Sequence, residues 1–135
     1  MKLKIYVDGA CRGNPGPASF GVCIQDDSGK TVREERGYIG ETTNNVAEYT
    51  AMLEALRLAV GMGGTELTVH SDSQLMVRQL MGVYRVKNDR LRTYLLKIQN
   101  LRRGFTSVEF VHVPREENKR ADRLANEALD ELRLK

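Results

Sequence analysis

Residues 3–39 read LKIYVDGACRGNPGPASFGVCIQDDSGKTVREERGYI. Leu3, Ile5 and Val7 alternate with Lys4, Tyr6 and Asp8, which predicts a strand buried on one face. The following GACRGNPGP is dense in turn residues and breaks that alternation. SFGVCIQ (19–25) and KTVREERGYI (30–39) predict two more strands, joined as a hairpin at Asp27-Ser28-Gly29. Three strands on such short links are expected to run antiparallel.

After this stretch the period changes. Asn45–Val60 is spaced for a helix, with Val46, Leu53, Leu56 and Val60 inward, and it stops at the glycines of GMGG. LTVHSD (67–72) predicts a fourth strand, and SQLMVRQLM (73–81) a second helix ending near Gly82. Asn88 or Asp89 can cap a third helix through Arg103, with Leu91, Leu95, Ile98 and Leu101 on one face. SVEFVHV (107–113) predicts a fifth strand. Glu117–Leu132 predicts a last helix with Ala121, Leu124, Ala125 and Ala128 inward. The fourth and fifth strands follow helical crossovers, so they are expected parallel to the first. The expected class is α/β: a mixed five-stranded sheet with helices on both faces and ligands at the carboxyl ends of its parallel strands.

Composition narrows the function classes. A length of 135 residues fits one domain, expected over 1–135, and 41% hydrophobic with 29% charged residues excludes a disordered chain. No apolar run reaches the roughly 20 residues of a membrane span, so no membrane role is expected. Cys11 and Cys23 do not make a disulfide framework and fit a reducing, cytoplasmic setting. With only His70 and His112 beside them, no zinc site is spelled. Residues 76–103 carry eight Lys/Arg and one acid, a charge of +7, which leaves −4 for the rest of a chain of net +3. A basic segment in an otherwise acidic chain reads as an anion-facing surface or as a solvated helix face.

Topology singles out two acids and leaves two more within reach of them. Asp8 closes the first strand and Asp72 the fourth; if those strands are parallel neighbours, both carboxylates share one sheet edge. Glu48 and Asp122, near the starts of the first and last helices, can return to that edge. Each also has an ordinary structural role open to it. Asp8-Gly9 can be a turn, Asn45-x-x-Glu48 a capping box, Asp72 a cap for the helix from Ser73, and Asp122 a solvated helix residue. Two like charges ~4 Å apart repel by ~4 kcal/mol at an effective dielectric of about 20. Four carboxylates in one cleft therefore either keep some of their protons or take up a dication, which removes the conflict, and all-oxygen ligands suit Mg²⁺ or Mn²⁺.

DGACRGNPGPASFG (8–21), TTNNVAEYTAMLEAL (42–56), VHSDSQLMV (69–77) and NKRADRLAN (118–126) resemble, in order and spacing, the four conserved blocks of type 1 ribonuclease H. The resemblance implies the ribonuclease H-like sheet, order 3-2-1-4-5, with strand 2 antiparallel to the rest. It implies an endonuclease that hydrolyses the RNA strand of an RNA/DNA hybrid with two Mg²⁺ ions (Mn²⁺ substituting), leaving 5′-phosphate and 3′-hydroxyl ends. The acids at the matching positions are Asp8, Glu48, Asp72 and Asp122. Asp8 would bridge the ions, Asp122 would hold the one that activates water, and Glu48 and Asp72 the one near the leaving oxygen.

The same resemblance assigns Cys11, Asn14, Asn44 and Gln74 to the RNA strand near its 2′-hydroxyls, where amides can donate and accept. It assigns Thr43 and Asn88 to a pocket for a DNA-strand phosphate. No protein partner is implied, and a cytoplasmic monomer is expected.

The chain departs from the family pattern in three places. Gly82–Lys87 is too short for the basic handle found in many bacterial members, leaving the basic third helix to substitute in part. Glu41 stands where some relatives have an Arg beside the phosphate pocket. The loop HVPREENKRAD is shorter than the usual Gly- and His-bearing loop before the last acid. His112 matches the loop His by count, but it alternates with Val108 and Phe110 as a strand residue. Arg115 or Glu116 is the alternative auxiliary group. Two other function classes remain open on sequence alone: a hybrid-binding module without catalysis, and a nucleotide-binding fold using the Gly-rich loop.

Overall fold

The computed structural model describes residues 1–133. The elements in order are β1 (Lys2–Cys11), β2 (Gly16–Asp26), β3 (Thr31–Thr42), α1 (Asn44–Gly61), β4 (Glu66–Ser71), α2 (Gln74–Leu80), α3 (Asp89–Arg102), β5 (Ser107–His112), a 3-10 turn (Arg115–Glu117) and α4 (Lys119–Arg133). One five-stranded sheet runs β3-β2-β1-β4-β5. β2 is antiparallel to β1 and β3, whereas β4 is parallel to β1 and to β5. The expected order and directions are those observed.

Alternation sets the two faces. Leu3, Ile5 and Val7 stand in register with Leu67, Val69 and Ser71, which continue to Val108, Phe110 and His112. The apolar members of these rows are buried with Val46, Met52, Leu53 and Leu56 of α1. Each fully buried side chain of this kind stabilises the fold by ~1.5–3 kcal/mol. Lys4, Tyr6 and Asp8 point to the opposite face, where α4 packs across β1, β2 and β3 with Ala121, Leu124, Ala125 and Ala128 buried. α3 packs against α1 beyond the sheet.

Two glycines let the helices approach. A Cβ on Gly9 would stand 2.5 Å from the Glu48 backbone nitrogen, and one on Gly21 would stand 2.7 Å from that of Ala125. Only the missing side chain allows α1 and α4 to sit this close to the strands. Ser19 Oγ, two residues before Gly21, donates to the Ala125 carbonyl at 2.5 Å and fixes the same contact.

Several sequence boundaries move. β1 runs on through Ala10 and Cys11 because β2 continues to pair with it, as far as Cys11 opposite Ala18. Asp8 is therefore inside its strand rather than at its end. Thr43, not Asn45, caps α1, with its Oγ1 accepting from the Val46 N–H at 3.3 Å. Val60 was expected inward but is 54% exposed: in the last turn of α1 it is Ala59 that faces the core. α4 begins at Lys119 rather than Glu117, because Arg115–Glu117 wind as a 3-10 turn first. Among the described residues no helix is long and apolar enough to cross a membrane.

Candidate active site

The parallel pairing of β1 with β4 ends at Val7 opposite Ser71. The next residue on each chain is an acid, Asp8 and Asp72. The two carboxylates thus emerge side by side where the ladder stops. Asp72 takes no capping role, because Ser73 caps α2 and accepts from the Met76 N–H at 3.3 Å.

Glu48 arrives from the other face. With Thr43 as the cap, residue 48 falls in the second turn of α1, too far along for a capping box. Its backbone sits directly over Gly9 of β1 instead, which brings the carboxylate to the sheet. Asp8, Glu48 and Asp72 each offer an oxygen within 4.8 Å of the others. Asp122, in the first turn of α4, comes close enough to add to the crowding on Asp8. All four line one cleft of 440 Å³, together with Asn44 and Arg115.

The electrostatics follow from the crowding. Asp8 is 4% exposed. Its burial first, then the charges of Glu48 and Asp72, push its carboxyl up to about 10. Burial and Asp72 push Glu48 up to about 8, against partial relief from the Asp8 carboxyl, the Gly9 backbone N–H and the charge of Arg115. Without a cation these carboxyls hold protons because ionised neighbours repel and water is scarce. One Glu48 oxygen, Oε2, is buried with no hydrogen-bond partner. An orphaned acceptor among convergent oxygens, with neither His nor Cys in the set, fits a hard divalent ion.

The remaining sequence-derived residues are dispersed around this cleft. Cys11 lines it, with its thiol turned to the carbonyls of Gly13 and Thr42. Asn14 Oδ1 accepts from the Asn44 N–H at 3.2 Å, so these two brace each other. Thr43 and Asn88 cap α1 and α3. Gln74, the first residue of α2, lies in a separate groove between α2 and β5, and His112 lies in that groove with it. Glu116 is exposed in the 3-10 turn. Of the three auxiliary candidates, Arg115 alone lines the carboxylate cleft.

Two residues escaped the sequence reading. The Asn118 side-chain amide donates to the Val7 carbonyl at 2.8 Å, and the Asn126 amide donates to Asp122 Oδ1 at 3.2 Å. Their one signal is spacing: each stands four residues from Asp122, one helical turn away.

A family model described as "Reverse transcriptase-like" matches residues 6–128. Ribonuclease HI of Halobacterium salinarum is 42% identical over 130 residues, covering 96% of this chain and 65% of that protein. A bifunctional protein of Mycobacterium tuberculosis, Rv2228c, is 43% identical, covering 96% of this chain and 36% of its own length. The chain therefore spans less than two thirds of either relative. Among solved structures, RNase H1 from Halobacterium salinarum superposes with a TM-score of 0.95 at 42% identity, covering 97% of this chain and 99% of that one. LC11-RNase H1 in complex with an RNA/DNA hybrid superposes at 0.92 with 47% identity, covering 96% and 98%.

Proposed function

The chain belongs to the type 1 ribonuclease H family, and from that premise we propose that it is a metal-dependent endonuclease hydrolysing the RNA strand of RNA/DNA hybrids. The observation that carries the reading is the convergence of Asp8, Glu48, Asp72 and Asp122 on one cleft, with a Glu48 oxygen left unpartnered. A pure binding module gains nothing from acids facing phosphates.

The four carboxylates would hold two Mg²⁺ ions, with Mn²⁺ as a substitute. By the family resemblance Asp8 would serve both ions, Asp122 would help hold the ion that supplies the activated water, and Glu48 and Asp72 would hold the one that neutralises the leaving 3′ oxygen. When bound, such a pair supplies an activated water and neutralises charge on the leaving oxygen. The products are 5′-phosphate and 3′-hydroxyl ends.

The chain's own residues then choose and orient the substrate. Asn44 and Cys11, on the cleft wall, and Asn14, braced against Asn44, are assigned to the RNA strand beside the acids. Gln74, at the start of α2, is assigned to the same strand. Thr43 and Asn88 accept the cap hydrogen bonds of α1 and α3 through their side-chain oxygens, which leaves the Thr43 hydroxyl proton and the Asn88 amide hydrogens to donate to a DNA phosphate at those helix N-termini, whose dipoles favour an anion. Arg115, which lines the cleft and acts on the charge of Glu48, is the preferred auxiliary group over Glu116 and His112. The basic residues of α3 hold the hybrid by charge, in the absence of a handle between α2 and α3. The protein is proposed to act as a cytoplasmic monomer.

The test is cleavage of matched RNA/DNA, RNA/RNA and DNA/DNA duplexes with Mg²⁺ or Mn²⁺, repeated with Asp8→Asn. Cutting of the RNA in the hybrid, lost in the variant, is the expected result. Binding without cutting, or full activity in Asp8→Asn, overturns the proposal.

A further inference from the structure

Asp122 is held differently from the other three acids. Asp8 and Asp72 lie where the ladder between adjacent paired strands ends, and Glu48 is set by the packing of its helix directly on Gly9. Asp122 comes to the cleft on a helix that starts only after the 3-10 turn. Two asparagines, one turn before it and one turn after, tie it in place.

Asn118 is 1% exposed. Its Nδ2 donates to the carbonyl of Val7, the residue bonded to Asp8, at 2.8 Å. Its own backbone carbonyl accepts the Asp122 N–H at 3.1 Å. Two bonds thus connect the strand carrying one acid to the helix turn carrying another. Asn126 lines the cleft, and its Nδ2 donates both to Asp122 Oδ1 at 3.2 Å and to the Asp122 carbonyl at 2.9 Å.

We infer that Asn118 and Asn126 are positioning residues that fix the Asp122 carboxylate against Asp8. Asn118 sets where the helix begins relative to β1, and Asn126 sets which way the carboxylate turns. The inference rests on the reading of Asp122 as a metal-holding acid. An amide suits the second task because it donates without bringing a positive charge. An Arg or Lys at 126 would pair with Asp122 and compete with a cation for it, and an Ala would leave the carboxylate free to rotate. Partners behind a ligand commonly set metal affinity or activity by about 10–100-fold.

The test is a double-mutant cycle read by calorimetric titration of the purified protein with Mn²⁺ alone, alongside hybrid hydrolysis in Mg²⁺. N126A should weaken Mn²⁺ binding and lower kcat by about 10-fold or more, with KM for the hybrid little changed, and N126Q should recover part of both. In a D122A background N126A should change nothing further. N118A should behave as N126A does, and N118S, which keeps a donor, carries the same cycle if N118A unfolds. Wild-type Mn²⁺ affinity in N126A, or an equal loss with and without Asp122, overturns the inference. Unchanged Mn²⁺ affinity in D122A alone overturns instead the assignment of Asp122 to the metal, so the two failures are distinguishable.

Discussion

Val7 and Ser71 form the last parallel rung between β1 and β4, and the residue after each is one of the two acids that face one another across the end of that ladder. Their juxtaposition is a product of register: a slip of one residue would turn Asp8 and its neighbours to the other face.

The first prediction concerns Asp8 itself. Asp8→Asn should lower hybrid cleavage by more than ~100-fold, beyond what residues behind a ligand typically contribute. The same change should stabilise the metal-free protein by roughly 1–3 kcal/mol near pH 8, because it removes the carboxyl most disfavoured by burial and by Glu48 and Asp72. Urea denaturation in EDTA measures the second effect. A loss of both stability and activity would mean that Asp8 serves the fold.

The second concerns pH. Folding raises Glu48 to about 8 and Asp8 to about 10, from ordinary values near 4. Between those limits the folded state binds more protons than the unfolded state, so stability falls as pH rises. The stability these groups confer is fully present below about pH 4 and is lost as pH climbs through their folded values. Melting temperature in EDTA should therefore drop from pH 5 to pH 9, and saturating Mg²⁺ should flatten the drop. Mn²⁺ affinity should rise over the same interval as protons are displaced. A metal-free melting curve indifferent to pH would contradict the crowding described.

How much of this was legible in the sequence depends on what each residue answers to. The alternation of Leu3, Ile5 and Val7 answers to one buried face, so strand, side and direction could be read. Gly9-Ala10-Cys11 carries no alternation, and its strand character comes from pairing with Phe20, Ser19 and Ala18, which local sequence does not encode. Thr42-Thr43-Asn44-Asn45 offers four capping residues in a row, and only the packing of α1 selects Thr43. In the site, strand ends pointed to Asp8 and Asp72 together, whereas Glu48 and Asp122 needed the family resemblance. Asn118 was hidden because its partner is the Val7 carbonyl, 111 residues away in the chain.

The third prediction concerns charge. Single neutralisations on the basic stretch, Arg85→Gln, Lys87→Gln and Arg92→Gln, should weaken hybrid binding without changing which strand is cut. Each residue that meets a phosphate should reduce the slope of log affinity against log salt by about 1. Fluorescence anisotropy across 50–300 mM salt, in EDTA to prevent cleavage, gives the slopes. Slopes equal to wild type in all three would assign this stretch to a solvated face.

The fourth concerns the outer surface of α4. Arg36 bridges Glu127 and Glu131, and Arg120 bridges Glu34, all partly exposed. Arg36→Ala should cost only ~0–1 kcal/mol, because such pairs are screened by water and salt. Gly21→Ala, which removes no interaction, should cost about 1–3 kcal/mol, because the new methyl meets the Ala121 carbonyl and the Ala125 nitrogen of α4. Paired denaturation curves decide between them, and the reverse ranking would refute the packing account.

Gly9 lies beneath the helix that carries Glu48, and Gly21, paired with Asp8, lies beneath the helix that carries Asp122. The gauge of the cleft is therefore set by two residues that own no functional group. A related chain could retain all four acids and still be inert if either glycine became a larger residue, since the helix would ride outward and carry its carboxylate with it. Any survey that sorts such chains into working and silent copies by their acids alone will overlook those spacers.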